Sequence, residues 1–80
     1  MFYKQSFGER ARSVREKEGK SMETIAAILG CPVSHVEALE QGKVQPTLEV
    51  LVALAGYYQV STDYLLGLTD IPFAENGASD

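Results

Sequence analysis

Apolar residues recur along this chain at intervals of three and four, the spacing of one face of an α-helix, and no segment alternates as a strand would. Phe7, Ala11 and Val14, with Arg15, share one side of a first helix. Ser6 can cap it, it runs to about Glu18, and Gly19 ends it. Ser21 can cap a second helix with Ile25, Ala26 and Leu29 inward, stopped by Gly30. Pro32 suits the opening turn of a third helix, where its missing N–H is no loss. Val36 and Leu39 face inward there and Gly42 is the stop. Residues 43 to 46 connect to a fourth helix, capped by Thr47, with Leu48, Leu51, Val52, Leu54 and Ala55 to bury. Gly56 weakens its C-terminal end by about 1 kcal/mol relative to alanine. Ser61 caps a short fifth helix in which Tyr64, Leu65 and Leu66 pack and Gly67 is the stop. After Thr69 the chain reads as a tail, interrupted by Pro72, and residues 75 to 80 are small, polar and acidic. The pattern predicts an all-α domain of five short helices joined by tight turns.

The segment from Ser21 to Gly42 is the informative one. It reads as a short helix, a turn at Gly30-Cys31-Pro32 and a second short helix. A three-to-four-residue turn between amphipathic helices holds them at a steep angle, so that one lies across a surface while the other projects. A projecting helix of this kind fits the DNA major groove, which is wide enough for one α-helix. Helix pairs with glycine stops occur in any small α-domain, so the pattern gains weight only from what surrounds it.

Charge alters the picture in one respect. The chain carries a formal net charge of −4, which by itself disfavours a nucleic-acid partner. All seven basic residues lie in the first 43 positions beside six acids, and the remainder holds five acids and no base. The two parts can therefore meet different partners, or the surface is simply lopsided. With 80 residues the chain forms one domain, too small for a large catalytic cleft with its own supporting shell. A single cysteine, Cys31, excludes an internal disulfide framework and fits a reducing, cytoplasmic setting. No apolar run approaches a membrane span, and the N-terminus lacks the basic start and apolar core of a signal peptide.

From Phe7 to Gly67, about three quarters of its length, the chain resembles the Cro/CI-type (XRE-like) helix-turn-helix regulators. The resemblance is carried by Arg12, Arg15 and Gly19, and by Ser21-x-x-x-Ile25-Ala26-x-x-Leu29-Gly30. It continues through Val36-x-x-Leu39-Glu40-x-Gly42-Lys43 and Pro46-Thr47-Leu48-x-x-Leu51, and ends with Val60-Ser61-x-Asp63-Tyr64-Leu65-Leu66-Gly67. It implies a compact five-helix, lambda-repressor-like DNA-binding domain over residues 7–67, with the motif at about 21–41. Residues 1–6 are then an N-terminal extension and 68–80 a C-terminal tail, partly disordered or in a dimer contact.

The resemblance also implies roles. Arg15 and Glu40 match the family's buried ion pair, suited by the planar guanidinium fork. The expected DNA-contacting positions are Ser21, Met22, Val33, Ser34, His35, Glu37, Ala38, Gln41 and Lys43, with Gln45 and Lys20 as further phosphate partners. Here the sequence departs from the family. Met22, Val33 and Ala38 cannot grip a base by hydrogen bonds, and they can only touch a thymine methyl. Glu37 can accept from a cytosine amino group but repels phosphates. The amide N–H groups that open the second helix, near Ser21 and Met22, can hold a phosphate.

Other chemistry finds little support in the sequence. Cys31 and His35 are four apart, a spacing open to metal ligation, but no second histidine or cysteine completes a zinc set. A Cys–His nucleophile lacks an orienting third group. Neither an enzymatic activity nor a cofactor or metal is expected. Tyr57 and Tyr58 are assigned to capping the core rather than to base stacking. Phe2, Tyr3, Ile71 and Phe73 either pack back on the domain or line a subunit interface. The expectation is a sequence-specific, repressor-like regulator, homodimeric on a two-fold site in double-stranded DNA. The alternative is a protein-interaction module on the same scaffold, motivated by the apolar outer face and the negative charge.

Overall fold

The computed structural model describes residues 4–72, and their secondary structure is five helices: α1 (Lys4–Lys17), α2 (Met22–Leu29), α3 (Val33–Glu40), α4 (Leu48–Tyr58) and α5 (Thr62–Leu66). Three of them start at a hydroxyl, which gives one of the unpaired first-turn amides an acceptor. Ser21 Oγ accepts from Thr24 N–H at 3.1 Å, Thr47 Oγ1 from Val50 N–H at 3.1 Å, and Ser61 Oγ from Tyr64 N–H at 3.0 Å. Pro32 stands one place earlier than the opening turn predicted for it. It is the N-cap of α3, extended at φ −68° and ψ 154°, and its carbonyl accepts from His35 N–H. Gly30 and Gly67 end α2 and α5 in the left-handed conformation that glycine adopts without a Cβ penalty. Gly56 does not break α4, which continues to Tyr58; Gln59 takes the left-handed position instead, at φ 58°.

The first helix departs furthest from expectation. Ser6 is not its cap, because α1 already begins at Lys4, inside the segment assigned to the extension. The Ser6 hydroxyl donates to the carbonyl of Leu66 at 2.8 Å and so fastens α1 to the end of α5. The segment after Gly67 is also engaged. Arg10 donates to the carbonyl of Thr69 at 3.2 Å and to the carboxylate of Asp70 at 3.1 Å, and stacks 4.2 Å above the Tyr64 ring. Ser61 N–H donates to the carbonyl of Pro72 at 2.8 Å. Phe2, Tyr3 and Phe73 lie outside the described residues, and Ile71 is half-exposed.

The core gathers Phe7 and Ala11 of α1, Ile25 and Ala26 of α2, Val36 and Leu39 of α3, Leu54 of α4 and Leu65 of α5. Burying each of the larger side chains contributes about 1.5–3 kcal/mol. On α4 the prediction fails in part. Leu54 is buried and Leu51 and Ala55 are partly covered, but Leu48 is 75% and Val52 58% exposed. The helix is apolar around most of its circumference, and its two packing partners, α2 and α5, cover only one side of it. Among the described residues no helix is long and apolar enough to cross a membrane.

Candidate nucleic-acid interface

The third helix is held from behind at two points. Gly8 of α1 lies against its last turn so closely that a Cβ at that position would sit 2.6 Å from the carbonyl oxygens of Leu39 and Glu40. A side chain there would have to displace backbone, so only glycine lets the two helices approach this far. The second point is Arg15. Its Nε donates to Glu40 Oε2 at 2.6 Å and its Nη2 to Oε1 at 2.9 Å, a two-pronged pair whose side chains are only 11% and 6% exposed. The remaining terminal nitrogen, Nη1, donates to the carbonyl of Lys20 at 3.0 Å. One guanidinium therefore ties the residue ahead of the α2 cap to the last residue of α3. The hydrogen bonds to Glu40 raise the Arg15 pKa above its ordinary value, against the opposing effect of burial.

With its inner side fixed by Val36, Leu39 and Glu40, α3 turns the opposite side outward. Ser34, Glu37 and Gln41 are exposed along this row, and Ala38 beside them is half-buried. Val33 and Met22, two of the sequence-predicted contact residues, are partly buried and pack against the core, so each offers only a portion of its surface. Met22 and Glu37 line a shallow groove with Arg12 and Gln41, between the start of α2 and the outward row of α3. His35 is half-buried on the other flank, in a concavity shared with Cys31, Thr47 and Glu49. Among the described residues no three His, Cys, Asp or Glu side chains are placed to share a metal ion.

Ser21 caps α2 with its Oγ and is exposed, which leaves the first amides of that helix at the surface beside the groove. At the other end, Lys43 and Gln45 are exposed in the loop after α3. That loop is shaped by Gly42 at φ +75°, with Gln41 N–H donating to Glu37, Gly42 N–H to Leu39 and Lys43 N–H to Ala38. Lys20 lies 5.9 Å from the Tyr57 ring, and Tyr57 meets Tyr58 edge to face at 5.1 Å. The two tyrosines thus pack at the end of α4 rather than beside the outward row.

Gly8 is the residue that reading the sequence missed. A glycine in the first turns of a helix reads as a weak helix former, and only the carbonyls of a helix thirty residues away explain it. The ring of ion pairs is a second feature with a bearing on the site. All three arginines face carboxylates: Arg10 meets Asp70 and Arg12 meets Glu16 at 3.0 Å, besides the Arg15–Glu40 pair. The outward row of α3 itself carries neither lysine nor arginine.

Known proteins share this arrangement. The helix-turn-helix family model matches residues 12–65. Over 64 residues, 80% of this chain, the sequence is 41% identical to the HTH-type transcriptional regulator YobD of Bacillus subtilis, and it spans 57% of that relative's length. The structure superposes on the restriction-modification controller protein C.AhdI from Aeromonas hydrophila with a TM-score of 0.68 at 32% identity, covering 75% of this chain and 91% of that one. It superposes equally well, at 0.68 and 30% identity, on the P22 c2 repressor in complex with a synthetic operator, covering 74% of this chain and 89% of the repressor chain. With a lambda-repressor-like arrangement of five helices and a family match over most of its length, the chain belongs to the Cro/CI-type helix-turn-helix family.

Proposed function

We propose that this protein is a sequence-specific DNA-binding transcriptional regulator of the repressor type, with α3 in the major groove and α2 crossing the backbone. The observation that carries the reading is the two-point anchoring of α3, by Gly8 and by Arg15, which fixes the helix while leaving Ser34, Glu37, Ala38 and Gln41 as its outward side. Met22 and Val33 contribute from the edge of that side. Ser21, with the amides that open α2, His35 and Lys43 approach the phosphates. Action on DNA implies a cytoplasmic location.

With so few cations near the outward row, one protomer binds weakly. A homodimer on a two-fold operator, its half-sites one helical turn or about 34–36 Å apart, raises the affinity by presenting two helices at once. The test is titration of random-sequence duplex at about 50 mM salt, followed by salt addition. Binding should appear and then weaken with salt along a shallow slope, as few cations meet phosphate, with two protomers per site on a selected operator. An absence of binding at low salt would overturn the proposal.

A protein-interaction module on the same scaffold is the second reading. It is favoured by Leu48 and Val52, an exposed apolar pair one turn apart on α4. It predicts no low-salt association with duplex at all, and so the same titration separates the two.

A further inference from the structure

We propose that α3 reads the pyrimidine edges of the major groove: thymine through its C5-methyl group, touched by Val33 and Ala38, and cytosine through its exocyclic amino group, bound by the carboxylate of Glu37. The inference rests on the DNA-binding reading and supplies the class of base that reading leaves open.

The outward side of α3 offers little that can donate to a base. Guanine presents two acceptors in the major groove and is gripped by arginine or lysine. The row holds neither; Arg12, in the groove beside it, is paired with Glu16, and Arg10 and Arg15 are held by Asp70 and Glu40. Adenine is gripped by an amide that both donates and accepts. The only amide of the row, Gln41, stands at the C-cap of α3, on the loop side.

What the row does offer is an acceptor set among small side chains. Glu37 is exposed, and its carboxylate has no hydrogen bond or ion pair among the described residues, whereas Glu16, Glu40 and Asp70 are all engaged. A carboxylate can only accept. In the major groove only the amino groups of cytosine and adenine donate, and the adenine donor is flanked on both sides by acceptors, N7 and the thymine O4. The cytosine donor has an acceptor on one side only, so the carboxylate meets less repulsion there. Val33 and Ala38 lie one residue either side of the exposed positions, are half-buried, and are short enough to let a thymine methyl settle against them.

Glu37 has a second consequence. An unpaired carboxylate facing the groove opposes the phosphates on every sequence, and the contact to cytosine offsets this only where cytosine is present. It therefore lowers non-specific binding more than specific binding and widens the ratio between them.

The experiment is selection of bound duplexes from a random library by the full chain at low salt, followed by two replacements. The selected half-site should be rich in thymine and cytosine on one strand. Replacing its thymines by uracil, which lacks only the methyl group, should weaken binding about fourfold for each contacted position, the value of one buried methylene. Glu37→Gln should shift the preference from cytosine to adenine and tighten binding to unrelated duplex, with an unchanged unfolding midpoint. Guanine at the contacted positions, equal binding of the uracil operator, or an unaltered base preference in Glu37→Gln would each overturn the proposal. Enrichment of a half-site without thymine and cytosine at the contacted positions would overturn it while leaving the sequence-specific reading intact, and duplex binding without any enrichment, or no binding, would bring down both.

Discussion

The two sides of α3 are built on opposite rules. The inner side is over-determined: Val36 and Leu39 are fully buried, Gly8 brings α1 onto the backbone, and Glu40 is held by two nitrogens of one guanidinium. The outer side is almost unconstrained, with Ser34, Glu37 and Gln41 exposed. Position and chemistry are thereby separated. The inner residues decide where the helix stands, and the outer ones decide what it recognises. Substitutions on the inner side should therefore lower stability, with any loss of binding following from the displaced helix, whereas those on the outer side should lower binding alone.

The largest effect is expected at Glu40. Glu40→Ala leaves a nearly buried guanidinium without its carboxylate and should cost roughly 3–5 kcal/mol of stability, read as a lowered midpoint in chemical denaturation. The loss is a large share of what so small a domain has. An unchanged midpoint would mean that the lock does not set the position of α3. Gly8→Ala should come next, at about 1–3 kcal/mol, because the added methyl meets two carbonyl oxygens and α1 or α3 must shift. Since the shift moves α3 itself, this variant should also lose DNA affinity when compared at a temperature where it is fully folded. Stability lost with affinity kept would show that the inner side fixes the fold but not the outward row.

The same division explains what could be read from the sequence. Helix ends were legible at Ser21, Gly30, Thr47, Ser61 and Gly67 because capping is a local interaction between residues a few places apart. Ser6 looked like one more cap, and its true partner is a carbonyl sixty residues away. Leu48 and Val52 fit an apolar helical pattern equally well as core or as surface, and the choice was made by where α2 and α5 pack. The Arg15–Glu40 pair came from the family resemblance, since nothing in a spacing of twenty-five marks two charges as neighbours. The outward row was legible as to residue type, while the partial burial of Met22, Val33 and His35 was not, because it depends on how helices distant in sequence pack against one another.

Effects on the outer side should be smaller and confined to binding. Lys43→Ala should leave the unfolding midpoint within about 0.5 kcal/mol of the original, as surface changes generally do. It should weaken association uniformly across sequences and reduce the slope of log affinity against log salt by about 1. A change in base preference on removing Lys43 would show that the loop after α3 takes part in reading and that the outward row extends beyond the helix.

The smallest effect tests the inner side by pH. Tyr58 closes the apolar interior alongside Phe7, Leu39 and Glu40, and its hydroxyl is pushed up from 10 to about 12, first by burial and then by the neighbouring Tyr57 and Glu40. A phenol whose folded pKa is raised binds its proton more tightly in the folded state. The stability linked to it is fully present below the unfolded value near 10 and is lost as pH rises from 10 towards 12. Arg15 does not share in this loss, because its pKa is raised from an already high value and the guanidinium stays charged. The unfolding temperature of the natural chain should therefore fall over that interval, and Tyr58→Phe should remove part of the fall, the difference between the two curves isolating the Tyr58 hydroxyl. Parallel curves would place the Tyr58 hydroxyl in water, and the wall behind Glu40 would be more open than the inner side of α3 requires.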